Sequence, residues 1–236
     1  MINSAHTQAF FLETVACGLS QARLDGYKRY SGDSDFDCLL RYLWNSKLSE
    51  SLYILLQNLE VALRNRMHDA LTLYYRTEYW FDRPSLLREY QQNQVMEAKR
   101  KVRDPRAPAG KIVAELSFGF WAALIAKKYA ASLVPALLRF CFSQVDRPYR
   151  QQQYLANVLD GLRQLRNRIF HHEPVWYYQD LPEKHRDALQ LILWLSPELF
   201  RMSYRLSRFR EIYSQGTFPY KTTVKGAMQP SRIFSW

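Results

Sequence analysis

Arg166, Asn167 and His171 have the types and the spacing for chemistry at a phosphate. Histidine suits proton transfer because its unperturbed pKa, about 6.5, lies near working pH. Arginine suits phosphoryl oxygens, being permanently charged with a planar fork of donors. An asparagine four residues before a histidine is placed to fix the ring or to bind phosphate. On this reading His171 is the acid/base, Arg166 the phosphate clamp and Asn167 the orienting group. Arg163, Arg168 and His172 are supporting candidates. A plainer reading stands beside it: cations and histidines stabilise the negative end of a helix, and Pro174 simply stops it.

A helix must position these residues. Leu155, Val158, Leu159, Leu162, Leu165 and Ile169 recur at three- and four-residue steps, which predicts one buried face on a helix from near Tyr149 to Pro174. On a wheel of about 100° per residue, Asp160, Gln164, Asn167 and His171 line up opposite, and Arg166 lies about 140° from His171. One copy therefore splays its arginine and histidine too widely to grip a single phosphate. Either a second chain faces it, or the helix unwinds before Pro174.

The string Leu165-Arg166-Asn167-Arg168-Ile169-Phe170-His171-His172-Glu173-Pro174 resembles the core motif of the Abi-like (abortive infection) family within the HEPN ribonucleases. Arg166 to His171 has the Arg-x4-His form of that superfamily's signature. Leu59-Glu60-Val61-Ala62-Leu63-Arg64-Asn65 is similar to the family's first block, and Val113 to Trp121 to its middle block. The resemblance implies an all-α helical bundle of HEPN type with additional N-terminal helices. It also implies a homodimer whose motifs face each other, and a toxin-like endoribonuclease of antiphage defence. RNA would be the substrate, and a structured noncoding RNA a possible antitoxin. RNA carries its own nucleophile, the 2′-hydroxyl, so cleavage needs proton removal and charge stabilisation but no metal.

Composition narrows the classes. The chain of 236 residues can bury a full core, and 47% hydrophobic with 15% aromatic residues fits a globular protein. Only 8 glycines and 10 prolines leave little turn chemistry for a many-stranded fold. Lys plus Arg number 33 against 22 Asp plus Glu, a net +11, with a pI near 9.6; such an excess suits a polyanion. Cys17, Cys38 and Cys141 form neither metal spacing nor an even disulfide set, so the expected compartment is a reducing cytoplasm. Leu116 to Ala126 is too short to span a bilayer. His172-Glu173-Pro174-Val175-Trp176 begins like a zinc motif, but Trp176 replaces the second ligand. No metal or cofactor is implied.

Along the chain, residues 1–18 are weakly patterned and read as an N-terminal extension, 19–214 as one helical domain and 215–236 as a basic tail. The patterning predicts helices over Leu19–Tyr30, over Phe36–Leu43 with Asp33 or Ser34 as cap, and over Lys47–Tyr75. A polar helix follows through Gln91 to Val102. Residues 99–111 read as an exposed basic loop interrupted by Pro105, Pro108 and Gly110, with Lys99, Arg100, Lys101, Arg103, Arg106 and Lys111 as candidate RNA contacts. Phe118, Phe120 and Trp121 read as core anchors, Gly119 as a site of close helix packing and Pro135 as a helix start. Pro182 opens another helix, and Ser196-Pro197 one more that runs to Tyr213, placing Arg201, Arg205 and Arg208 on one basic face; Lys221, Lys225 and Arg232 extend the charge. Leu63-Arg64-Asn65-Arg66-Met67 echoes the motif without the histidine spacing, and Glu60 four residues before Arg64 predicts an ion pair between them. Two other classes remain beside the nuclease: an RNA-binding module of the same fold that does not cut, and a helical adaptor.

Overall fold

The computed structural model describes residues 4–104 and 106–229. The expectations at Pro105 and Arg232 lie outside the described residues. All regular structure among those described is helical, with no strand. The helices are α1 (Ser4–Leu19), α2 (Gln21–Asp25), α3 (Asp35–Tyr75), α4 (Glu89–Val102), α5 (Ala109–Glu115) and α6 (Phe118–Ala123). They continue with α7 (Val134–Ala136), α8 (Gln152–Phe170), α9 (Leu181–Leu195), α10 (Pro197–Leu206), α11 (Phe209–Gln215) and α12 (Phe218–Ala227). No helix among the described residues is long and apolar enough to cross a membrane.

The chain gathers into two compact units. The first draws on the described parts of Met1–Tyr53, Arg168–Pro182 and Ser207–Trp236, the second on Ile54–Asn167 and Glu183–Leu206. In the first unit the weakly patterned N-terminus forms α1. Ser20 then leaves helical space at φ 72°, accepts a hydrogen bond from the Arg23 N–H and starts the short α2. The expected Leu19–Tyr30 helix therefore stops at Asp25. Ser34 caps α3 as expected: its hydroxyl accepts from Asp37 N–H at 3.2 Å, while the Asp37 carboxylate accepts from Ser34 N–H at 3.1 Å, a reciprocal capping box.

Helix α3 runs unbroken for 41 residues, where periodicity predicts two helices divided near Asn45-Ser46-Lys47. Nothing there compels a break, because the stretch holds neither glycine nor proline. Asn45 is a connector within the first unit. Buried, it donates through Nδ2 to the Tyr27 hydroxyl (3.1 Å) and accepts at Oδ1 from the N–H groups of Val175 (2.7 Å) and Trp176 (3.2 Å). Arg41 donates to the Tyr27 carbonyl (2.9 Å) and pairs with Asp33 (2.6 Å). The C-terminal segment read as a basic tail contains α12, which buries Val224.

In the second unit α3 buries Leu55, Leu56, Leu59, Leu63, Met67 and Leu71, each side chain worth about 1.5–3 kcal/mol of transfer free energy. Phe118, Phe120 and Trp121 are buried as expected, with Trp121 edge-on to Trp80 at 6.2 Å between ring centroids. Gly119 is not needed for close packing: an added Cβ would meet the Arg163 side chain at 3.7 Å, an ordinary contact. Ser196 caps α10, whose Leu199 N–H it receives at 3.4 Å. That helix ends at Leu206 and not near Tyr213, because Arg208 leaves helical space before α11 (φ −101°, ψ 6°).

Candidate functional site

Helix α8 buries Leu155, Leu159, Leu162, Leu165 and Ile169, as its periodicity predicts, and leaves Val158 half-buried. Its end is tighter than the proline alone would make it. The helix stops at Phe170, His171 is the cap and His172 follows in the left-handed region at φ 57°. Two backbone bonds close the turn, Glu173 N–H to the Arg168 carbonyl (2.8 Å) and His172 N–H to the Ile169 carbonyl (3.1 Å). That is the Schellman pairing, with histidine at the position glycine usually takes. The Arg23 guanidinium donates to the His172 carbonyl, adding a partner to the turn. His171 is exposed, and no hydrogen bond joins its imidazole to a described residue.

Arg166 and Asn167 belong to the second unit. The Arg166 Nε lies 3.3 Å from Glu60 Oε2, an ion pair in which both side chains are mostly shielded, at 25% and 19% exposed. The other Glu60 oxygen accepts from the Phe118 N–H at 3.1 Å. The three blocks singled out in the sequence thus meet at one carboxylate: Glu60 from the first, Phe118 from the middle and Arg166 from the last. The predicted pair between Glu60 and Arg64 does not form; Arg64 instead makes long contacts of 3.4 Å to the Asn65 side chain and the Ala114 carbonyl. Asn167 is half-buried, and its amide has no hydrogen bond to a described residue.

Upstream, the polar stripe satisfies itself. Asp160 accepts from Arg163 (2.9 and 2.7 Å) and from Gln164 (2.7 Å), and the Arg163 guanidinium holds that carboxyl below the usual carboxylate range. Arg163 is therefore spent on its own helix. Arg168 lies in the first unit, where Nη2 donates to the Tyr177 hydroxyl (2.9 Å) and Nε approaches Glu173 (3.3 Å) without hydrogen-bond geometry. In the echo of the motif, His68 is half-buried and its Nδ1 accepts from the Trp80 indole at 3.1 Å, with burial lowering its pKa. The His68 ring is thus hydrogen-bonded within the fold.

The expected basic loop is largely helix. Lys99, Arg100 and Lys101 end α4 and Lys111 lies in α5, while Arg103, at φ 57°, and Arg106 lie outside both helices. Lys99 is bound to both oxygens of Asp82 at 2.6 Å and Lys101 lies 3.8 Å from Glu115. Arg100 and Arg103 line an open cleft of about 470 Å³ with Tyr79, but Asp82 and Asp104 share it. Arg201 and Arg205 are exposed on α10. Arg208 lies beyond the end of α10 and contacts Glu211 at 3.4 Å, so the one helix predicted to carry all three arginines stops before the third. Among the described residues, no group of three His, Cys, Asp or Glu side chains is arranged to hold a metal ion.

Sequence reasoning missed Glu60 as the partner of Arg166, because the two are 106 residues apart and a nearer cation offered itself. It also passed over Asn45 and Tyr177, for which no local periodicity speaks. A sequence model described as "Abi-like protein" matches residues 10–177. No curated protein and no solved structure matches the chain.

Proposed function

The chain belongs to the Abi-like protein family, and from that premise we propose that it is a metal-independent endoribonuclease working in the cytoplasm in abortive infection. Family membership supports the abortive-infection role; the chemistry rests on the end of α8. The observation that carries it is the contrast between Arg166, held against Glu60, and the Asn167 amide and His171 imidazole, which have no hydrogen-bond partner among the described residues. Polar groups left unspent do nothing for the fold, and suit a ligand.

In this reading His171 takes the proton from a 2′-hydroxyl, whose oxygen attacks the adjacent phosphorus. The bond to the 5′-oxygen breaks, and that oxygen leaves as a hydroxyl with the proton that His171, as acid, gives back. Arg166 offsets charge growing on the non-bridging oxygens, and Asn167 orients the ring or the phosphate. Products end in 2′,3′-cyclic phosphate and 5′-hydroxyl. On an ideal helical wheel Arg166 and His171 diverge, so the proposal includes a homodimer in which two motifs share a cleft. The unpaired arginines of the 99–111 region and of α10 would steer RNA, substrate or noncoding antitoxin alike. A non-cutting RNA-binding module is the second reading, favoured by the Glu60 carboxylate that already occupies Arg166.

His171→Ala decides between them. The variant should fold and bind RNA normally while losing cleavage and toxicity, because an exposed histidine contributes to the transition state and not to the core. Wild-type cleavage should survive excess chelator and fail on a substrate carrying 2′-deoxyribose at the cut. Equal toxicity of variant and wild type at matched expression would leave only the binding module.

A further inference from the structure

The segment that follows the motif is fixed within the first unit. Asn45 holds the amides of Val175 and Trp176, and a turn closes from Tyr178 N–H to the Val175 carbonyl at 3.1 Å. The Trp176 ring is buried and carries the Arg41 guanidinium 5.5 Å from its centroid. Tyr177 is what this turn presents outward. The residue is 48% exposed, yet its ring is not a free rotor. Its hydroxyl accepts from Arg168, and its ring stands edge-on to Trp176 (5.8 Å, 86°) and Tyr178 (5.1 Å, 83°).

Arg168 stands three residues before His171, and its carbonyl accepts from the Glu173 N–H (2.8 Å) in the turn that His171 caps. The guanidinium thus ties the exposed ring to the helix end that bears the imidazole. It also lies 5.9 Å from the Tyr177 ring centroid and 5.3 Å from that of Tyr178, a cation beside a π surface. A rigid, half-exposed aromatic ring next to a cation has low ordering cost on contact with a flat ligand, and stacking accepts any base because every base has a π face.

We propose that Tyr177 is a stacking platform for an unpaired nucleobase beside the scissile phosphate, which makes single-stranded or looped RNA the substrate class and excludes duplex. This rests on the endoribonuclease reading above, but base stacking is measurable without cleavage. Bases within a duplex are already stacked and paired, so only an unstacked nucleotide can reach the ring.

The test uses the full chain and a 2′-O-methyl single-stranded RNA bearing one 2-aminopurine at successive positions. Wild type should quench the fluorophore at one position on binding. Tyr177→Ala should lose that quenching and bind about tenfold or more weakly, with an unchanged melting temperature, and Tyr177→Trp should recover the affinity by restoring a ring. A duplex of equal length should bind wild type and Tyr177→Ala alike. Unchanged quenching and affinity in Tyr177→Ala would overturn the proposal, and so would equal losses on single strand and duplex. If quenching depends on Tyr177 while wild type cuts nothing, the platform stands and the nuclease reading falls. If wild type cuts and Tyr177→Ala behaves like it, the reverse holds.

Discussion

At Arg166 two demands compete for one guanidinium, the Glu60 carboxylate at 3.3 Å and the phosphate that catalysis would bring. A carboxylate partner orients the arginine, and under the proposed mechanism a phosphate would have to exchange with it. Asp33 shows the opposite use of an ion pair, with no functional demand beside it. Its carboxylate accepts from Arg41 and from the N–H groups of Arg29 and Tyr30, which together hold its pKa well below the usual carboxylate range, the Arg41 bond foremost. A depressed carboxyl stabilises the fold fully above its unfolded pKa, about 3.9, and loses that contribution as pH falls toward the folded value. Asp33→Asn should therefore melt at a lower temperature than wild type at pH 7, and the gap should narrow as pH drops below about 4. A gap that stays constant with pH would show that the charge is not what matters there.

Among the elements, α8 was legible because its information is local. Leu155 to Ile169 recur on one face, and burial follows that face. The joins were not legible, because they depend on partners far away in sequence. Asn45 carries no local signal of its role, because the amides of Val175 and Trp176 that employ its side chain lie about 130 residues downstream. Nor does composition reveal the end of α10, since Ser207 and Arg208 are unremarkable helix residues. The end of α8 carries a testable cost. A β-carbon in the left-handed region costs about 1–2 kcal/mol, and His172 occupies that region at φ 57°. His172→Gly relieves the strain but frees the unfolded chain by about 0.4–1 kcal/mol. The variant should be neutral to about 1 kcal/mol more stable by chemical denaturation, whereas His172→Ala, which keeps the β-carbon, should gain nothing. A glycine variant clearly less stable than wild type would mean that the imidazole itself holds the turn.

At the scale of the molecule, several of the cations behind the net charge of +11 are already paired with acids. Asp82, Glu115 and Glu211 each stand beside a candidate RNA contact, and the run from Arg201 to Arg208 is divided between two helices. A net positive charge raises encounter rates with polyanions in general and by itself selects none of them. The proposed homodimer is where the chain as a whole is tested: excess His171→Ala chain mixed with wild type should lower cleavage more than dilution does, because mixed dimers lose one imidazole. A chain that remains monomeric at micromolar concentration and still cuts at full rate would dispose of the shared cleft. The carboxylate of Glu60 has a consequence for how such a chain can diverge. It receives a side chain from Arg166 but only a main-chain hydrogen from Phe118. Position 118 can therefore change to any residue but proline and keep that hydrogen, so what constrains it is the core in which the Phe118 ring is buried. Glu60 and Arg166 must be inherited as a couple, and their charges cannot trade places, because an arginine at position 60 would turn a donor toward a donor.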